Sequence, residues 1–542
     1  MQLSLLSERL LSRACNQWKW WWEASSERDE LARALLTVSL FILPIFWILW
    51  IASKSRKAGV APPPAPPGPH GMPIVGYLPF LGTNLCRSFT ELAEQYGPIF
   101  KLWLGKKLCV VVSSPSLAKE VVRDHDAVFA NRDPPRTGLA ATYGGLDIAW
   151  SPYGAYWRAT RKLFSREMLS NTSLEASYNL RRDEVRKTVR EVHGKIGSAI
   201  DIEEVAFLTA FKVAMAMLWG GTVDSQRVGN IGAEFRMATA KMVELMAVPN
   251  VSDFFPMLAR FDVQGLEQEA RQILKQVEQI IDPIIEAGLN MGAVRKEELR
   301  NEGRKDFLQI LLGIKETGGA EIALGLEEIK ALLIDIVVGG TETSATTVVW
   351  AMTEIMNNPE IMRRVQDELS NIVGMDNVVE ESHLPKLHYL NAVLKESFRL
   401  HPPLPLLVPR CPSESSIVGG YTIPKDTRVF LNVWAMHRDP EVWDEPSKFK
   451  PERFLGGTGN WDFNGNNFQF LPFGSGRRRC PGIPLAEKMV MHVLASFLHS
   501  FNWHLPGNEE IDLSDKFGIV MKKRTPLMAI PTPRLSDSKY YD

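Results

Sequence analysis

The chain has 542 residues, with 62 Lys and Arg against 63 Asp and Glu, and 45% of its residues are hydrophobic. This near-neutral balance is typical of a globular protein and gives no electrostatic basis for binding nucleic acid. The five cysteines are few, odd in number and widely spread, which argues against a disulfide framework and a structural zinc site. No repeat or low-complexity tract marks a boundary after residue 76, so one large single-core unit is possible.

Residues 34–52, ALLTVSLFILPIFWILWIA, form an uncharged apolar run. A helix of this length, at about 1.5 Å per residue, spans close to the ~30 Å hydrocarbon core of a bilayer. A core helix rarely stays apolar on all sides over such a length, and no small-residue cleavage site follows as in a signal peptide. The run predicts a single transmembrane anchor, preceded by a separate N-terminal segment of residues 1–33.

The flanking charges indicate how the anchor is oriented. Lys54, Arg56 and Lys57 follow the run directly, whereas the basic residues before it are spread over residues 8–33. Clustered basic residues beside a span favour the cytosolic side. The main body is therefore expected in the cytosol, where the few cysteines would stay reduced.

A proline-rich stretch, APPPAPPGPHGMPIVG, covers residues 61–76. Its proline density excludes a helix and favours a stiff, extended spacer. A ligand for a proline-binding domain is the alternative, but the position between an anchor and a globular body favours the spacer. Residues 53–76 are thus predicted to be a basic and proline-rich hinge, and residues 77–542 one folded domain.

The folded part is mainly helical from about residue 85. Apolar residues recur at helical spacing in four segments, 115–129, 326–340, 359–373 and 387–400. Short strand-like runs with internal turn signals occur at 98–113 and 417–431. The sequence predicts a mostly α fold with a minor β-sheet region.

Trp157 and Arg161 lie four residues apart in a helical segment, which places an indole N–H and a guanidinium on one face. These donors suit a carboxylate, although a tryptophan packed over a surface arginine is the commoner reason for such a pair.

A long predicted helix, from about Leu326 to Met356, contains the sequence GGTETS at residues 339–344. Two adjacent glycines cost about 1 kcal/mol each in a helix interior, and the threonines beside them are poor helix formers. The stretch fits either a notch for helix packing or a locally widened helix with room for a small ligand and water.

Glu396 and Arg399 lie three residues apart, on a helix that ends at the sequence HPP, and so face the same way. The rest of that helix is apolar. A charged pair on such a helix suggests a buried and satisfied ion pair.

The stretch FGSGRRRCPG, residues 473–482, combines three arginines, three glycines and a cysteine. It lacks the third glycine of a dinucleotide loop, and three arginines in a neutral chain are too few for a nucleic-acid patch. A surface turn with a structural cysteine remains possible. The alternative is a thiolate cradle for a metal, in which Gly476 and Gly482 let backbone amides point at the Cys480 sulfur and flanking arginines keep the thiol ionised.

The spacing Phe473-x-x-Gly476-x-Arg478-x-Cys480-x-Gly482 resembles the haem-binding signature of cytochromes P450. The other motifs follow in the order expected of that family, from the proline-rich hinge to the C-terminal segment. The resemblance implies a cytochrome P450 fold and haem b as cofactor. It also implies Cys480 as the axial thiolate ligand of the iron, with Phe473 near the sulfur and Arg478 at a haem propionate.

The resemblance assigns roles to the other motifs as well. Further propionate partners would be Trp157, Arg161 and Arg410. Thr343 would hydrogen-bond bound dioxygen, and Glu342 would be the acid of the proton relay. The structural residues would be Glu396 and Arg399, joined by Arg453 from a later loop.

The activity implied is NADPH-driven insertion of one oxygen atom from O2, with electrons from NADPH–cytochrome P450 reductase at the endoplasmic reticulum membrane. Arg477, Arg479 and Lys162 are candidate docking cations. The substrate contacts are expected in mostly apolar segments, which favours a neutral hydrophobic substrate. The residues expected to make these contacts are Val337, Gly340, Leu404, Val408 and Ile519.

A finer resemblance is to plant sesquiterpene hydroxylases of the cadinene 8-hydroxylase type, carried by stretches such as 73–83 and 249–267. Three alternatives stay open: a flavonoid hydroxylase of the same family, a hydroperoxide isomerase or dehydratase of the same fold, and a non-catalytic haem-thiolate binder. The intact Glu342–Thr343 pair argues against the last two.

Overall fold

The structure, a computed structural model, describes residues 63–219, 225–291, 306–317, 324–456, 461–507 and 510–541. The predicted N-terminal segment, the anchor at 34–52 and the first part of the hinge lie outside the described residues.

Helices dominate the described chain, and several begin with the residue types that satisfy their free N–H groups. The Ser114 hydroxyl accepts from Leu117 N, and Pro115 and Pro359 occupy first-turn positions where an N–H is not needed. The α-helices are α1 (Leu85–Tyr96), α2 (Pro115–Lys119), α3 (Arg136–Ala141), α4 (Ala155–Glu167), α5 (Asn171–Ala176), α6 (Tyr178–His193), α7 (Ile202–Trp219), α8 (Ser225–Ala247), α9 (Val251–Phe254), α10 (Leu266–Leu289), α11 (Phe307–Thr317), α12 (Leu326–Asn357), α13 (Pro359–Ile372), α14 (His388–Leu400), α15 (Val433–Met436) and α16 (Ile483–Ser500).

The strands are short and form small separate sheets. They are β1 (Ile99–Leu104), β2 (Lys107–Val112), β3 (Ile200–Asp201), β4 (Ser416–Val418), β5 (Tyr421–Ile423), β6 (Arg428–Leu431), β7 (Phe501–His504), β8 (Asp515–Lys516), β9 (Lys522–Lys523) and β10 (Met528–Pro533). The sheets have the orders β1-β2-β6, β3-β10-β7, β4-β5 and β8-β9. In the first sheet β1 and β2 form an antiparallel hairpin, and β6 joins β2 in parallel. The prediction of a mostly α fold with a minor sheet region is confirmed.

Helix α12 forms the centre of the fold. It runs for 32 residues, and its contacts with α7 and α16 bury side chains on nearly all sides. Among the described residues it is also the one helix long and apolar enough to cross a membrane, but 72% of its apolar window is buried inside the protein. Its apolar character is therefore that of a core helix.

The proline-rich segment lies against the folded domain from its first described residues. The Pro64 carbonyl accepts a hydrogen bond from Thr422 N at 2.9 Å, and the Pro67 carbonyl accepts from Lys101 N at 2.8 Å. Prolines lack an N–H but keep the carbonyl acceptor, so an extended proline-rich chain can still add to a sheet edge. Residues 64–71 contain neither helix nor strand, and this part of the segment is held by β1 and β5. Residues 72–76 turn back on themselves, with two hydrogen bonds of 2.9 Å between the backbones of Met72 and Gly76.

Gly68 lies where this segment approaches β1 most closely, because a Cβ at this position would sit 1.8 Å from the Lys101 carbonyl oxygen. We expect Gly68→Ala to push the segment off β1 and to destabilise the domain by about 1–3 kcal/mol, as overpacking does. Chemical denaturation measures the loss, and limited proteolysis reports whether residues 63–76 detach. Gly313→Ala is the control, since nothing lies near its added Cβ, and an equal loss in both variants would contradict the prediction.

Candidate functional site

The cysteine loop at residues 473–482 is closed by a hydrogen bond from Cys480 N to the Phe473 carbonyl at 3.0 Å. Gly476 has a φ of 68°, and a Cβ there would lie 2.3 Å from the Val122 carbonyl oxygen, so only glycine fits without strain. Gly482 has an ordinary φ of −75°. Its contribution is a backbone N–H directed at the Cys480 sulfur, which Ile483 N–H accompanies.

The electrostatics of Cys480 differ from the sequence-based expectation. Burial raises the pKa of its thiol above the ordinary value, while the Gly482 N–H, the Arg161 charge and the Ile483 N–H act in the opposite direction. The three arginines beside it in sequence are engaged elsewhere. A metal ion at the sulfur would stabilise the thiolate, because a coordinating thiol is deprotonated by the ion itself.

Those three arginines point in three directions. Arg477 pairs with Asp126, at 2.9 Å between Nη1 and Oδ2, and Arg479 donates to the Asn464 carbonyl at 2.5 Å. Arg478 is buried, and it donates to the carbonyls of Ala130, Ile148 and Ser151. Of the three, only Arg478 lines the cavity described next.

A cavity of about 300 Å³ separates the cysteine loop from helix α12 and is also bounded by α4 and α16. Most of the residues that the sequence singled out lie on its walls. The lining includes Trp157, Arg161, Gly339, Gly340, Thr343, Leu404, Leu407, Val408, Arg410, Phe473, Arg478, Cys480 and Gly482.

One part of the lining is strongly cationic. Arg132, Arg161, Arg410 and Arg478 all contribute to it, whereas Asp335 is the one carboxylate among the lining residues that the structure describes. Burial and then the charge of Arg410 lower the pKa of Arg478 to about 9, and burial followed by Arg478 lowers that of Arg132. Like charges crowded at a buried wall are unfavourable, so this wall favours an anionic group.

Trp157 and Arg161 both face the cavity from α4, as their spacing predicts. The Trp157 indole N–H donates to the Ile148 carbonyl at 3.0 Å, and an Arg161 Nη atom donates to the Arg479 carbonyl at 2.6 Å. The Arg410 guanidinium donates to the Ser475 carbonyl at 2.6 Å. Arg410 also pairs with the buried Asp126 carboxylate, at 3.3 Å between Nη1 and Oδ1. These donors therefore already lie around the cysteine loop, with backbone carbonyls and, for Arg410, a carboxylate as their partners.

Two carboxyl groups lie beside the same wall. Asp335 accepts a hydrogen bond from Ile148 N at 3.0 Å, and the neighbouring Asp147 accepts from Trp150 N at 3.3 Å. Burial raises the pKa of Asp335 to about 6, and burial together with the Asp335 charge raises that of Asp147. The hydrogen bond from Ile148 to Asp335 ties the segment after residue 146 to helix α12, whereas the bond to Asp147 lies within that segment.

On helix α12 the GGTETS stretch forms part of one continuous helix, and the expected local widening is not seen. The Thr343 hydroxyl, which lines the cavity, donates to the Gly339 carbonyl at 2.7 Å. Apart from its chain neighbours and the helix's own backbone, a Cβ added at Gly339 or Gly340 would have no atom within 4 Å, so both glycines leave open space beside Thr343. Room for a small ligand comes from the missing side chains rather than from a distorted backbone.

Glu342 faces away from the cavity. Its side chain is 3% exposed and forms an ion pair with Lys522 of β9, which also reaches Glu203 at 3.1 Å. The α12 residues that line the cavity form one stripe, which position 342 lies outside: Asp335, Ile336, Gly339, Gly340, Thr343, Ser344 and Thr347. The structure thus brings Thr343 to the cavity and places Glu342 beside it, behind the helix surface.

The residues expected to contact a substrate divide into two groups. Gly340, Leu404 and Val408 line the cavity. Val337 is fully buried in the hydrophobic core, and Ile519 is also not among the lining residues. Additional apolar walls come from Phe164, Met168, Leu169, Ile336, Leu485, Ala486, Met489 and Val490.

Glu396 and Arg399 form an ion pair with no exposure, at 2.7 Å. Arg453 joins it, with its Nε 3.3 Å from a Glu396 oxygen. Arg399 also donates to the carbonyl of His437, whose ring nitrogen accepts from Leu471 N at 2.9 Å, two residues before Phe473. Hydrogen bonds therefore connect the ion pair of Glu396 with Arg399 to the start of the cysteine loop.

Sequence reasoning missed three residues of the site: Arg132, Asp335 and Lys522. Asp335 could have been found, because Asp335, Gly339 and Thr343 are four residues apart and so share one stripe of a helix. Arg132 and Lys522 reach the site only through the packing of distant segments, and no local pattern marks them.

The comparisons with known proteins agree with this geometry. Residues 66–530 match the family model for cytochrome P450, so the chain belongs to the cytochrome P450 family. It is a haem-thiolate monooxygenase that uses dioxygen, a small-molecule substrate and electrons from NADPH through a redox partner.

Its relatives include plant enzymes. Cytochrome P450 76C2 of Arabidopsis thaliana is 37% identical over 511 residues, 93% of this chain and 98% of that protein. Carnosic acid synthase of Salvia pomifera is 37% identical over 85% of this chain and 92% of its own length. A solved structure of a zebra fish cytochrome P450 with progesterone has a TM-score of 0.71 and 27% identity, and covers 83% of this chain and 99% of that one.

The cavity fits the haem of this family on its own chemistry. A thiol with two backbone N–H groups directed at its sulfur faces an apolar space, and four arginines supply cations for two carboxylates. An apolar ring system carrying two anionic groups matches both parts of this lining.

Replacing Arg399 by leucine would remove the closer cationic partner of the fully buried Glu396 carboxylate and leave only the longer ion pair with Arg453. We expect Arg399→Leu to lower the free energy of unfolding by about 3–5 kcal/mol and to reduce haem incorporation. Urea denaturation and the haem-to-protein absorbance ratio measure both effects. Arg363→Leu, which removes an exposed ion pair with Glu360, should leave both values unchanged, and a loss of similar size there would count against the prediction.

Proposed function

We propose that this monooxygenase hydroxylates a terpenoid, with a sesquiterpene as the first candidate, and that Cys480 is the axial ligand of its haem iron. The observation that carries the proposal is the cavity in which Cys480, a cationic wall and an apolar wall with Thr343 face one another.

The haem would be held by residues from three parts of the chain. Cys480 would bind the iron, with Phe473 beside the ring. Arg478, Arg161, Arg410 and Trp157 would turn to the propionates from their present partners, which are backbone carbonyls and, for Arg410, also the Asp126 carboxylate. Arg132 is a further donor at the same wall. Bound in this way, the haem supplies the chemistry of oxygen activation and insertion.

The protein supplies proton handling and exclusion of water. The Thr343 hydroxyl lies at the cavity surface and donates its one proton to the Gly339 carbonyl, so it presents an acceptor oxygen to the cavity. It would donate a proton to a group in the cavity after turning from Gly339. The apolar lining from α4 and α16 keeps the cavity poor in water, which strengthens each of these interactions.

The terpenoid assignment rests on the apolar wall and on relatives. A neutral hydrocarbon-like substrate suits the wall formed by residues such as Phe164, Leu404 and Val408. Carnosic acid synthase of Salvia pomifera and ferruginol synthase of Isodon rubescens, at 37% and 36% identity, support the choice. A flavonoid is the second candidate, because a flavonoid 3'-monooxygenase of Crocosmia x crocosmiiflora is 36% identical over 87% of this chain.

We also propose that the protein works at the endoplasmic reticulum membrane, anchored by residues 34–52. A set of exposed apolar side chains on the folded domain supports this, including Ile74 at 80% and Met257 at 75% exposure. Backbone hydrogen bonds from Gly105 to Val75 and from Lys106 to Phe254 join the segments that carry them. Exposed apolar surface of this kind is typical of contact with a membrane.

The electron donor would be NADPH–cytochrome P450 reductase, which would approach the face that carries the cysteine loop. Arg477 and Lys162 are candidate contacts there, and Arg477 is already paired with Asp126. The charge it offers a partner is therefore reduced.

The decisive experiment combines the full-length protein with reductase and NADPH and screens sesquiterpenes, diterpenes and flavanones for hydroxylated products. We expect NADPH-dependent hydroxylation of a terpene and little turnover of flavanones. If the enzyme converts flavanones in preference to terpenes, a flavonoid replaces the terpenoid as the proposed substrate. If none of the screened compounds gives a hydroxylated product, both proposed substrate classes are contradicted.

Cys480→Ser should abolish the far-red-shifted Soret band of the reduced carbon-monoxide complex, because a serine hydroxyl does not replace a thiolate donor. Cys411→Ser is the matched control. It is also buried, and burial raises the pKa of its thiol to about 11, as suits a structural cysteine. A shifted band that survives in Cys480→Ser would overturn the ligand assignment.

A further inference from the structure

A buried carboxylate lies between the cysteine loop and the cationic wall of the cavity. It belongs to Asp126, whose side chain is 9% exposed. The Asp126 oxygens accept hydrogen bonds from the Arg477 backbone N–H, at 3.0 and 3.2 Å, and from the Arg477 Nη1 atom at 2.9 Å. They also accept one from the Arg410 Nη1 atom at 3.3 Å. One carboxylate therefore joins a residue of the cysteine loop to an arginine that lines the cavity.

The two arginines that share this carboxylate lie in different environments. The Arg477 side chain is 47% exposed, whereas the Arg410 side chain is 4% exposed and lines the cavity. Burial lowers the pKa of Arg410, and the Asp126 charge acts in the opposite direction. Among the described residues, Asp126 is the one carboxylate that pairs with Arg410. It therefore compensates one charge of the cationic wall from outside the cavity.

The backbone of the cysteine loop packs directly against the same carboxylate. A Cβ added at Gly476 would lie 2.5 Å from the Asp126 Oδ1 atom, so no side chain fits between the loop and Asp126. A hydrogen bond to an ionised acceptor is roughly twice as strong as one between neutral groups. The bond from the Arg477 N–H therefore fixes the turn at residues 476–478, immediately before Cys480.

We propose that Asp126 is a positioning residue for the haem site, which fixes the turn of the cysteine loop, holds Arg410 at the cavity wall and lowers the reduction potential of the iron. The inference rests on the proposed function, because it takes Cys480 as the iron ligand and Arg410 as a propionate partner. Asp126 itself is not among the residues that line the cavity, so it would act on the haem through these two neighbours and through its charge.

Arg410 keeps donors for an anionic group while it is held in this way. A guanidinium has five N–H donors, and the bonds of Arg410 to Asp126 and to the Ser475 carbonyl use two of them. Asp126 therefore does not compete for all the donors of Arg410, and it fixes the side of the guanidinium that faces away from the cavity group.

The direction of the effect on the iron follows from the charge. One electron added to the ferric haem removes one positive charge, so a nearby negative charge stabilises the ferric form relative to the ferrous form. Asp126 is buried, and a buried charge is screened less than an exposed one. Removing the Asp126 charge should therefore make the ferric haem easier to reduce.

The test compares three variants of the full-length holoenzyme with the wild type. Asp126→Asn removes the charge and keeps the shape, and Asp126→Glu keeps the charge. Glu381→Gln is the matched control, because Glu381 is 10% exposed and likewise pairs with a buried arginine, Arg181, and a half-exposed cation, Lys488. None of these three control residues lines the cavity. The carbon-monoxide spectrum first establishes thiolate ligation in each protein.

We expect Asp126→Asn to raise the equilibrium constant for one-electron reduction of the ferric haem by about five- to tenfold, roughly 40–60 mV in a potentiometric titration. Asp126→Glu should stay within about twofold of the wild type, and Glu381→Gln should keep the wild-type potential. A wild-type potential in Asp126→Asn with an intact thiolate band would overturn the inference, and so would an equal rise in Glu381→Gln.

A second measurement reports on the loop without using the potential. Hydrogen–deuterium exchange of residues 476–482 should be severalfold faster in Asp126→Asn, because a neutral amide holds the Arg477 N–H less tightly than a carboxylate, and unchanged in Glu381→Gln. If Asp126→Asn does not take up haem, the same comparison between the haem-free forms of wild type and variant decides. Unchanged exchange would refute the positioning role of Asp126, whereas a wild type without the thiolate band would contradict the proposed function instead.

Discussion

The Arg399 guanidinium is buried completely, and a charged group without water must find a protein partner for each donor. Its five N–H donors go to the two Glu396 oxygens and to the carbonyls of His437, Pro446 and Lys448. The segment from His437 to Lys448, which follows β6 and α15, is thereby fixed at two places to one helix. The His437 ring accepts a hydrogen bond from Leu471, which comes just before the cysteine loop. The position of Cys480 therefore depends on an ion pair elsewhere in the fold.

The cavity combines two environments that are usually kept apart. Four arginines crowd one wall, and mutual repulsion adds to burial in lowering the pKa of Arg478 and Arg132. The rest of the lining is largely apolar and includes the open space at Gly339 and Gly340. A cofactor with an apolar ring and two carboxylates satisfies both, which is why the site suits haem and leaves the remaining apolar space for a hydrophobic substrate.

Helix α12 places the two residues that we propose for proton supply on different sides. Thr343 lies on the cavity side, and Glu342 lies on the side of Lys522, although they are neighbours in sequence. A long apolar helix through the core makes this separation possible, because its other face packs against elements that can supply an ammonium group. Proton supply and substrate binding can therefore occupy different faces of one helix.

The sequence alone determined the features that depend on short spacings. Trp157 with Arg161, Glu396 with Arg399, and the turn around Cys480 each lie within about ten residues, where helix periodicity and glycine positions decide which side chains meet. Only the tertiary structure decided that Arg132 and Asp335 join the cavity, that Val337 lies in the core and that Glu342 pairs with Lys522. These contacts join residues far apart in the chain, and the packing of whole elements, which no local pattern encodes, brings them together.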